Sequence, residues 1–154
     1  MRKIVLAIGL VLISYWGEGQ IVINEVLASN QNDIVDEFLQ TADWVEIYNG
    51  TPNEIDLGGY YLSDDETNLI KWTFPEDVPE QTTIDAGGYL IIWADNDTQD
   101  GPLHTNFRLS SDGDFAILTA PDGTTVLDYL NFGPQQSDIS FGRETDGASN
   151  WVYF

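Results

Sequence analysis

Apolar and polar residues alternate with a period of two over most of the chain. The segment at 44–49, Trp-Val-Glu-Ile-Tyr-Asn, alternates cleanly, and the segment at 21–27 is rich in β-branched residues. Such segments predict β-strands. Further strand-like runs lie at 59–62, 70–74, 88–93, 114–119, 125–130, 139–143 and 151–154.

Gly, Pro, Asn and Asp separate nearly all of these runs, as at 85–88, 121–123 and 133–134. Many short strands with turn residues between them, at a spacing of roughly 8–12 residues, are typical of an antiparallel sandwich or barrel. The sequence therefore predicts an all-β domain.

Residues 32–41 offer the one helical alternative. Ile34, Val35, Phe38 and Leu39 would share one side of a helical turn there. The same segment is equally compatible with a long acidic loop.

The composition narrows the class of partner. The chain has 154 residues with 26 Asp and Glu, five Lys and Arg, and a formal charge of −21. A hydrophobic fraction of 42% is too high for a disordered acidic chain. The absence of Cys excludes disulfides, thiolate metal sites and a Cys nucleophile. The charge argues against nucleic acid or an anionic membrane surface, because both are bound through Lys and Arg.

The amino terminus differs from the rest of the chain. Arg2 and Lys3 precede an apolar run at 4–13, and small residues follow at Gly17 and Gly19. This layout predicts a signal peptide at 1–19, with a domain at 20–154 that is secreted, displayed at the cell surface or periplasmic. A buried first strand and a retained membrane anchor are the alternatives, but the apolar run is too short to span a bilayer. We expect no membrane insertion once the signal is removed.

Several strand cores and turns, in one order along the chain, carry a family resemblance. They are Ile-Asn-Glu-Val (23–26), Asp-Trp-Val-Glu-Ile-Tyr-Asn (43–49), Ile-Asp-Leu-Gly-Gly-Tyr-Tyr-Leu-Ser-Asp (55–64), Lys-Trp (71–72), Ile-Asp-Ala-Gly-Gly-Tyr (84–89), Trp-Ala-Asp (93–95), His-Thr-Asn-Phe-Arg-Leu-Ser (104–110), Asp-Gly (122–123) and Ser-Phe-Gly-Arg (140–143). Together they resemble the lamin-tail domain in its bacterial, secreted form.

The resemblance implies an immunoglobulin-like antiparallel β-sandwich and a non-catalytic module. The expected function is to bind a protein partner at the cell surface or envelope, or to serve as the accessory domain of a larger exported protein. The alternative is a calcium-dependent adhesin or a glycan-binding module. The family offers no catalytic residues to transfer, and no cofactor other than calcium is considered.

The residues themselves give little support to catalysis. His104 is the one His, Ser110 lies six residues later, and the chain has no Gly-x-Ser-x-Gly motif. A structural His that donates to a loop carbonyl is the favoured interpretation. Pairs of carboxylates suited to glycoside hydrolysis cannot be singled out among so many acids.

A calcium site is the more specific hypothesis. Asp95, Asp97 and Asp100 lie with two amides in the loop at 95–101, and calcium prefers such oxygen ligands. The spacing does not fit an EF-hand, because the sixth position is Asp100 rather than Gly. Acidic corners at 64–66 and 112–114 are further candidates, and solvated turn acids are the alternative for all three.

The aromatic residues leave a choice between core and surface. Trp44, Trp72 and Trp93 lie within predicted strands, where filling of the core is favoured over stacking on sugar rings. Alternation directs one ring of Tyr60 and Tyr61 outward. Trp151 is open to the same two interpretations.

The few basic residues are interpreted as structural. Arg143 is expected to find a bidentate carboxylate partner, and Lys71 and Arg108 are expected to have similar roles.

Overall fold

The computed structural model describes residues 20–154, so the predicted signal peptide at 1–19 lies outside the described residues. The described chain is almost entirely β-structure. Its strands are β1 (Ile21–Leu27), β2 (Trp44–Asn49), β3 (Ile55–Asp56), β4 (Tyr61–Ser63), β5 (Trp72–Thr73), β6 (Thr83–Ile84), β7 (Tyr89–Trp93), β8 (Asp114–Thr119), β9 (Val126–Phe132), β10 (Phe141–Arg143) and β11 (Trp151–Tyr153), with one short helix, α1 (Pro79–Thr82).

Two antiparallel sheets form the body of the domain. The larger has the order β11-β10-β1-β2-β7, and the smaller has the order β5-β4-β8-β9. In the larger sheet Ile23 pairs with Ile47 and Val26 with Val45. A register shift in β1 lies between Ile23 and Glu25. Strands β3 and β6 form a separate two-stranded ribbon.

The apolar faces of the two sheets meet in one core. Val45 and Ile47 come from the larger sheet, and Leu62 and Leu118 from the smaller; all four are fully buried in the same cluster. Burial of each such side chain contributes roughly 1.5–3 kcal/mol of transfer free energy. The all-β, immunoglobulin-like antiparallel sandwich expected from the sequence is confirmed.

The large aromatics follow the expected division. Trp44, Trp72 and Trp93 are buried, so the interpretation that they fill the interior is confirmed. Tyr60 and Tyr61 are both half-buried, so neither stands out as a free ring.

The helical turn lies where the sequence did not place it. Residues 32–41 form a loop, and the helix is α1, which begins at a proline. Pro79 suits a first helical position because its φ is fixed near the helical value and it needs no N–H partner. The backbone oxygen of Val78 accepts hydrogen bonds from the N–H groups of Gln81 and Thr82. Within residues 20–154, no helix is long and apolar enough to cross a membrane.

A half-buried ion pair ties the two sheets together. Asp128 on β9 accepts through Oδ2 from Arg143 Nη2 and from the N–H of Ile23, each at 2.8 Å. Arg143 also donates to the carbonyl oxygens of Ile23 and Ala148 and lies over the ring of Trp151. The structural role expected for Arg143 is confirmed, but the bidentate carboxylate is wrong, because the guanidinium divides its donors between one carboxylate oxygen and two carbonyls.

Candidate functional site

The loop between β1 and β2 is closed at its base by Asn30. The Asn30 amide donates to the carbonyl oxygens of Ile34 and Ala42, at 2.7 and 2.8 Å. Its Oδ1 accepts from the N–H of Asp33, and its own N–H donates to Oδ1 of Asp43. One buried amide therefore fixes both ends of this long loop.

Asp36 organises the tip of the same loop. Its Oδ1 accepts from the N–H groups of Phe38 and Gln40, both at 2.8 Å. Its backbone oxygen accepts from Leu39, and its N–H donates to the carbonyl of Gln40. Leu39 adopts the left-handed conformation with φ 62°, which is costly for a branched apolar residue. The tip is thus a defined turn with strain at Leu39.

The second loop follows β7. Oδ1 of Asp95 accepts from the N–H of Asp97 at 3.0 Å, and Oδ1 of Asp97 accepts from the N–H of Gln99 at 3.3 Å. The backbone oxygen of Asp95 accepts from Nε of Arg108 at 2.7 Å. These turns direct the Asp95 carboxylate inward, whereas Asp97 remains exposed.

The two loops bring four ionisable side chains together. One carboxylate oxygen each from Asp36, Asp95 and Asp100 and one ring nitrogen of His104 lie within 4.8 Å of one another. A cavity of about 250 Å³ opens beside them. Its charged lining residues are Asp36, Asp43, Asp95, Asp97, Asp100 and Arg108. We call this the carboxylate pocket.

The structure brings together part of the predicted calcium set. Asp95 and Asp100 belong to the group of converging atoms, whereas Asp97 lines the cavity without joining that group. Asp36, which the sequence did not suggest, joins them from the other loop. The signal was an Asp within the otherwise mostly apolar segment at 34–39.

His104 has a different partner from the one expected. It is buried, and its Nδ1 lies 2.5 Å from Oδ2 of Asp95, so the expected loop carbonyl is wrong. Its Nε2 lies 3.4 Å from Oε2 of Glu37, without hydrogen-bond geometry. Burial lowers the pKa of His104, but the hydrogen bond to Asp95 and the charges of Asp95 and Glu37 raise it by more, so the net shift of the pKa is upward. The ring is therefore held as a proton donor to Asp95.

Burial leaves other charges of the pocket incompletely compensated. Burial raises the pKa of Asp43, and the Asn30 hydrogen bond and the Arg108 charge offset this in part. Asp36 is 5% exposed, and within residues 20–154 its Oδ2 has no hydrogen-bond partner. Such an atom is uncommon in a folded protein.

The other two acidic corners are built differently. Asp64 forms an ion pair with Lys71 at 2.5 Å. Asp65 accepts two hydrogen bonds from Thr67, which lower its pKa. Asp114 accepts from the N–H groups of Ser110 and Phe115. These carboxylates serve the turns that contain them.

An exposed apolar surface lies on the loop that carries Asp36. Of the ten large apolar side chains that are exposed in residues 20–154, four belong to this segment of six residues. They are Ile34, Val35, Phe38 and Leu39, and we call them the apolar tip. Leu39 is 81% exposed, and the ring of Phe38 lies 6.4 Å from that of His104.

The fold and these features define a class: a small immunoglobulin-like sandwich whose distinctive chemistry lies in its loops. The profile of the Lamin Tail Domain family matches residues 17–133, which is most of the chain. The chain therefore belongs to the lamin tail domain family, as its strand and turn motifs indicated, and this family is generally non-catalytic. No curated protein and no solved structure matches the chain significantly.

Proposed function

We propose that the protein is a non-catalytic interaction module that binds a protein partner through the apolar tip. The observation that carries the proposal is the exposure of Ile34, Val35, Phe38 and Leu39 within one short segment. Clustered exposed apolar side chains with a polar rim are typical of interaction sites.

The order of the tip supports a binding role. Hydrogen bonds to Asp36 and the amide of Asn30 hold the loop in one conformation. A pre-organised loop loses little conformational entropy when it binds. The strained φ of Leu39 places a branched apolar side chain in solvent, and strain of this kind is often found at functional positions.

Charge indicates the chemistry of the partner. Asp33, Asp36 and Glu37 lie within or beside the apolar tip, and the chain has a formal charge of −21. The partner would present an apolar depression with a basic rim. Because rim charges act mainly on association and are screened by salt, binding would weaken as ionic strength rises.

The site of action in this proposal is outside the cytoplasm. The predicted signal at 1–19 supports secretion, followed by residence at the cell surface or in the periplasm. The module would act alone or as the accessory domain of a larger exported protein, and the negative charge disfavours nucleic acid as a partner.

The test is affinity capture of envelope proteins with matched variants. Wild type and Tyr153→Ser, which alters an exposed apolar residue elsewhere, should retain the same partner. Phe38→Ser and Leu39→Ser should each reduce its recovery by roughly tenfold or more, since anchors at an interface centre dominate affinity. Recovery that is unchanged in both tip variants would contradict the proposal.

A calcium-dependent adhesin is the second candidate, and the carboxylate pocket is the observation that favours it. A glycan-binding module has less support, because Trp44, Trp72 and Trp93 are buried. If glycan binding were the function, soluble sugars would release the captured partner.

A further inference from the structure

Two loops far apart in sequence converge on the carboxylate pocket, where three carboxylates meet one histidine ring. Asp36 comes from the β1–β2 loop, and Asp95 and Asp100 come from the loop after β7. Like charges brought this close repel one another, and partial burial strengthens the repulsion. A group of acids alone would not establish a site, because exposed acids often cluster at loops.

The second observation is the state of Asp36. Its Oδ1 is fully used by the N–H groups of Phe38 and Gln40, whereas its Oδ2 is buried within the pocket without a partner among residues 20–154. A buried carboxylate oxygen needs a donor or a cation to offset its desolvation. Asp36 therefore brings a buried carboxylate oxygen without a partner in the described chain to the pocket that Asp95 and Asp100 also line.

None of the nearby donors within residues 20–154 reaches Oδ2 of Asp36. Nε of Arg108 donates to the backbone oxygen of Asp95 rather than to a carboxylate. The Gln40 amide reaches Oδ2 of Asp100 at 3.3 Å, and Nδ1 of His104 is taken by Asp95. These contacts orient the carboxylates without neutralising all of them.

We propose that Asp36, Asp95 and Asp100 bind a calcium ion that ties the tip of the β1–β2 loop to the loop after β7. The proposed donors are carboxylate oxygens, because Nδ1 of His104 faces Asp95 and calcium takes oxygen ligands. Calcium accepts such hard ligands in irregular geometry and completes its shell with water or carbonyl oxygens, for which the cavity has room.

The calcium site goes beyond the proposed interaction function, because calcium binding does not depend on a protein partner. It also has a consequence for that function. Asp36 lies between Val35 and Phe38 in the apolar tip, so an ion on its Oδ2 would fix the surface that the tip presents. The sequence predicted a calcium site at Asp95, Asp97 and Asp100. The set proposed here has Asp36 in place of Asp97, and that difference can be tested.

The experiment measures calcium binding to the purified protein. Titration calorimetry gives the affinity, and the melting temperature at constant ionic strength gives the stabilisation. Wild type should bind one ion with a Kd of about 0.1–1 mM, the range of extracellular calcium modules, and melt several degrees higher with calcium at saturation. Magnesium should bind more weakly, because it demands a stricter geometry.

Variants that exchange Asp for Asn separate the two sets. Asp36→Asn should weaken calcium binding by roughly tenfold or more, since it removes a charged ligand from the shell. Its Asn Oδ1 can still accept from Phe38 and Gln40, so without calcium it should melt no lower than wild type. Asp97→Asn should weaken binding less than about threefold through loss of long-range charge alone. Asp112→Asn, an exposed acid outside the pocket, should leave binding unchanged.

Several results would overturn the site. They are no binding heat and no thermal shift at about 10 mM calcium, equal affinity in Asp36→Asn and wild type, or a larger loss in Asp97→Asn than in Asp36→Asn. Tighter binding of zinc than of calcium would overturn the oxygen donor set. None of these readouts involves a protein partner, so they are independent of the capture experiment.

Discussion

Carboxylates that are at least half-buried occur in two regions of this domain, and their hydrogen-bond partners differ. Between the sheets, Asp128 receives donors from Arg143, from the N–H of Ile23 and from the N–H of Tyr129. At the loop end, Asp36 receives donors on one oxygen only. The first region is complete within the chain and stabilises the fold. In the second region one carboxylate oxygen, Oδ2 of Asp36, has no partner within residues 20–154, and we expect a ligand there.

The largest effect on stability should come from removing the ion pair between Arg143 and Asp128. Arg143→Met would leave Asp128 charged and partly buried without its cation, which should lower the free energy of unfolding by about 3–5 kcal/mol. Urea denaturation measures this loss. Lys71→Met is the matched control, because Lys71 is more exposed than Arg143 and its pair with Asp64 should contribute about 1 kcal/mol or less. A loss of similar size in both variants would contradict the distinction between an enclosed and a more exposed cation.

A smaller effect of opposite sign is expected at the loop end. Leu39→Asn should raise the free energy of unfolding by about 0.5–1 kcal/mol, because Asn tolerates the left-handed conformation better than Leu. Phe38→Asn is the control, since Phe38 is not among the residues with positive φ. Both variants remove an apolar side chain from the tip and should weaken partner binding. Stabilisation in Phe38→Asn but not in Leu39→Asn would contradict the assignment of strain.

The smallest effects concern protonation, and they compare an exposed, hydrogen-bonded acid with a half-buried one. Hydrogen bonds from the Thr125 hydroxyl and from the N–H groups of Thr125 and Thr124 lower the pKa of Asp122 to about 2. Burial instead raises the pKa of Asp43. NMR titration of the side-chain carboxyl carbons should therefore show Asp122 titrating below the ordinary value of 3.8 and Asp43 above it.

These two shifts act on stability with opposite signs. The contribution of Asp122 is present above its unfolded pKa and is lost as the pH falls through the lowered value. The folded state instead favours protonated Asp43, so that contribution is present in acid and is lost as the pH rises through the raised value. Asp122→Asn should remove the first dependence and Asp43→Asn the second. Identical titration of the two carboxyls would contradict the comparison.

The sequence predicted the sandwich well because its long strands repeat a simple pattern. β1, β2 and β8 have the predicted bounds, since six or seven residues that either alternate, as in β2, or are mostly apolar, as in β1 and β8, leave little ambiguity. β3 and β6 have two residues each, and so short a strand shows no recognisable periodicity in the sequence. Tertiary pairing, rather than local preference, creates that ribbon.

The site was harder to predict because it depends on contacts between distant segments. Asp95 and Asp100 were identified from the composition of their loop, but Asp97 in the same loop faces solvent because local turns direct it outward. Asp36 lies about 60 residues earlier, and only the fold places it beside them. The partner of His104 was missed for the same reason, since the His–Asp contact depends on how the loop closes.

We expect calcium at the carboxylate pocket, where Oδ2 of Asp36 is buried without a partner among residues 20–154, rather than at acidic loops in general. The most direct measurement is a calcium titration of the full chain that is monitored by NMR of the backbone amides. We expect saturable calcium-induced changes of chemical shift that are confined to residues 30–43 and 94–104, with little change at the turn of Asp122 and at Asp64. Shifts of equal size at all acidic turns, or none in the two pocket loops, would contradict it.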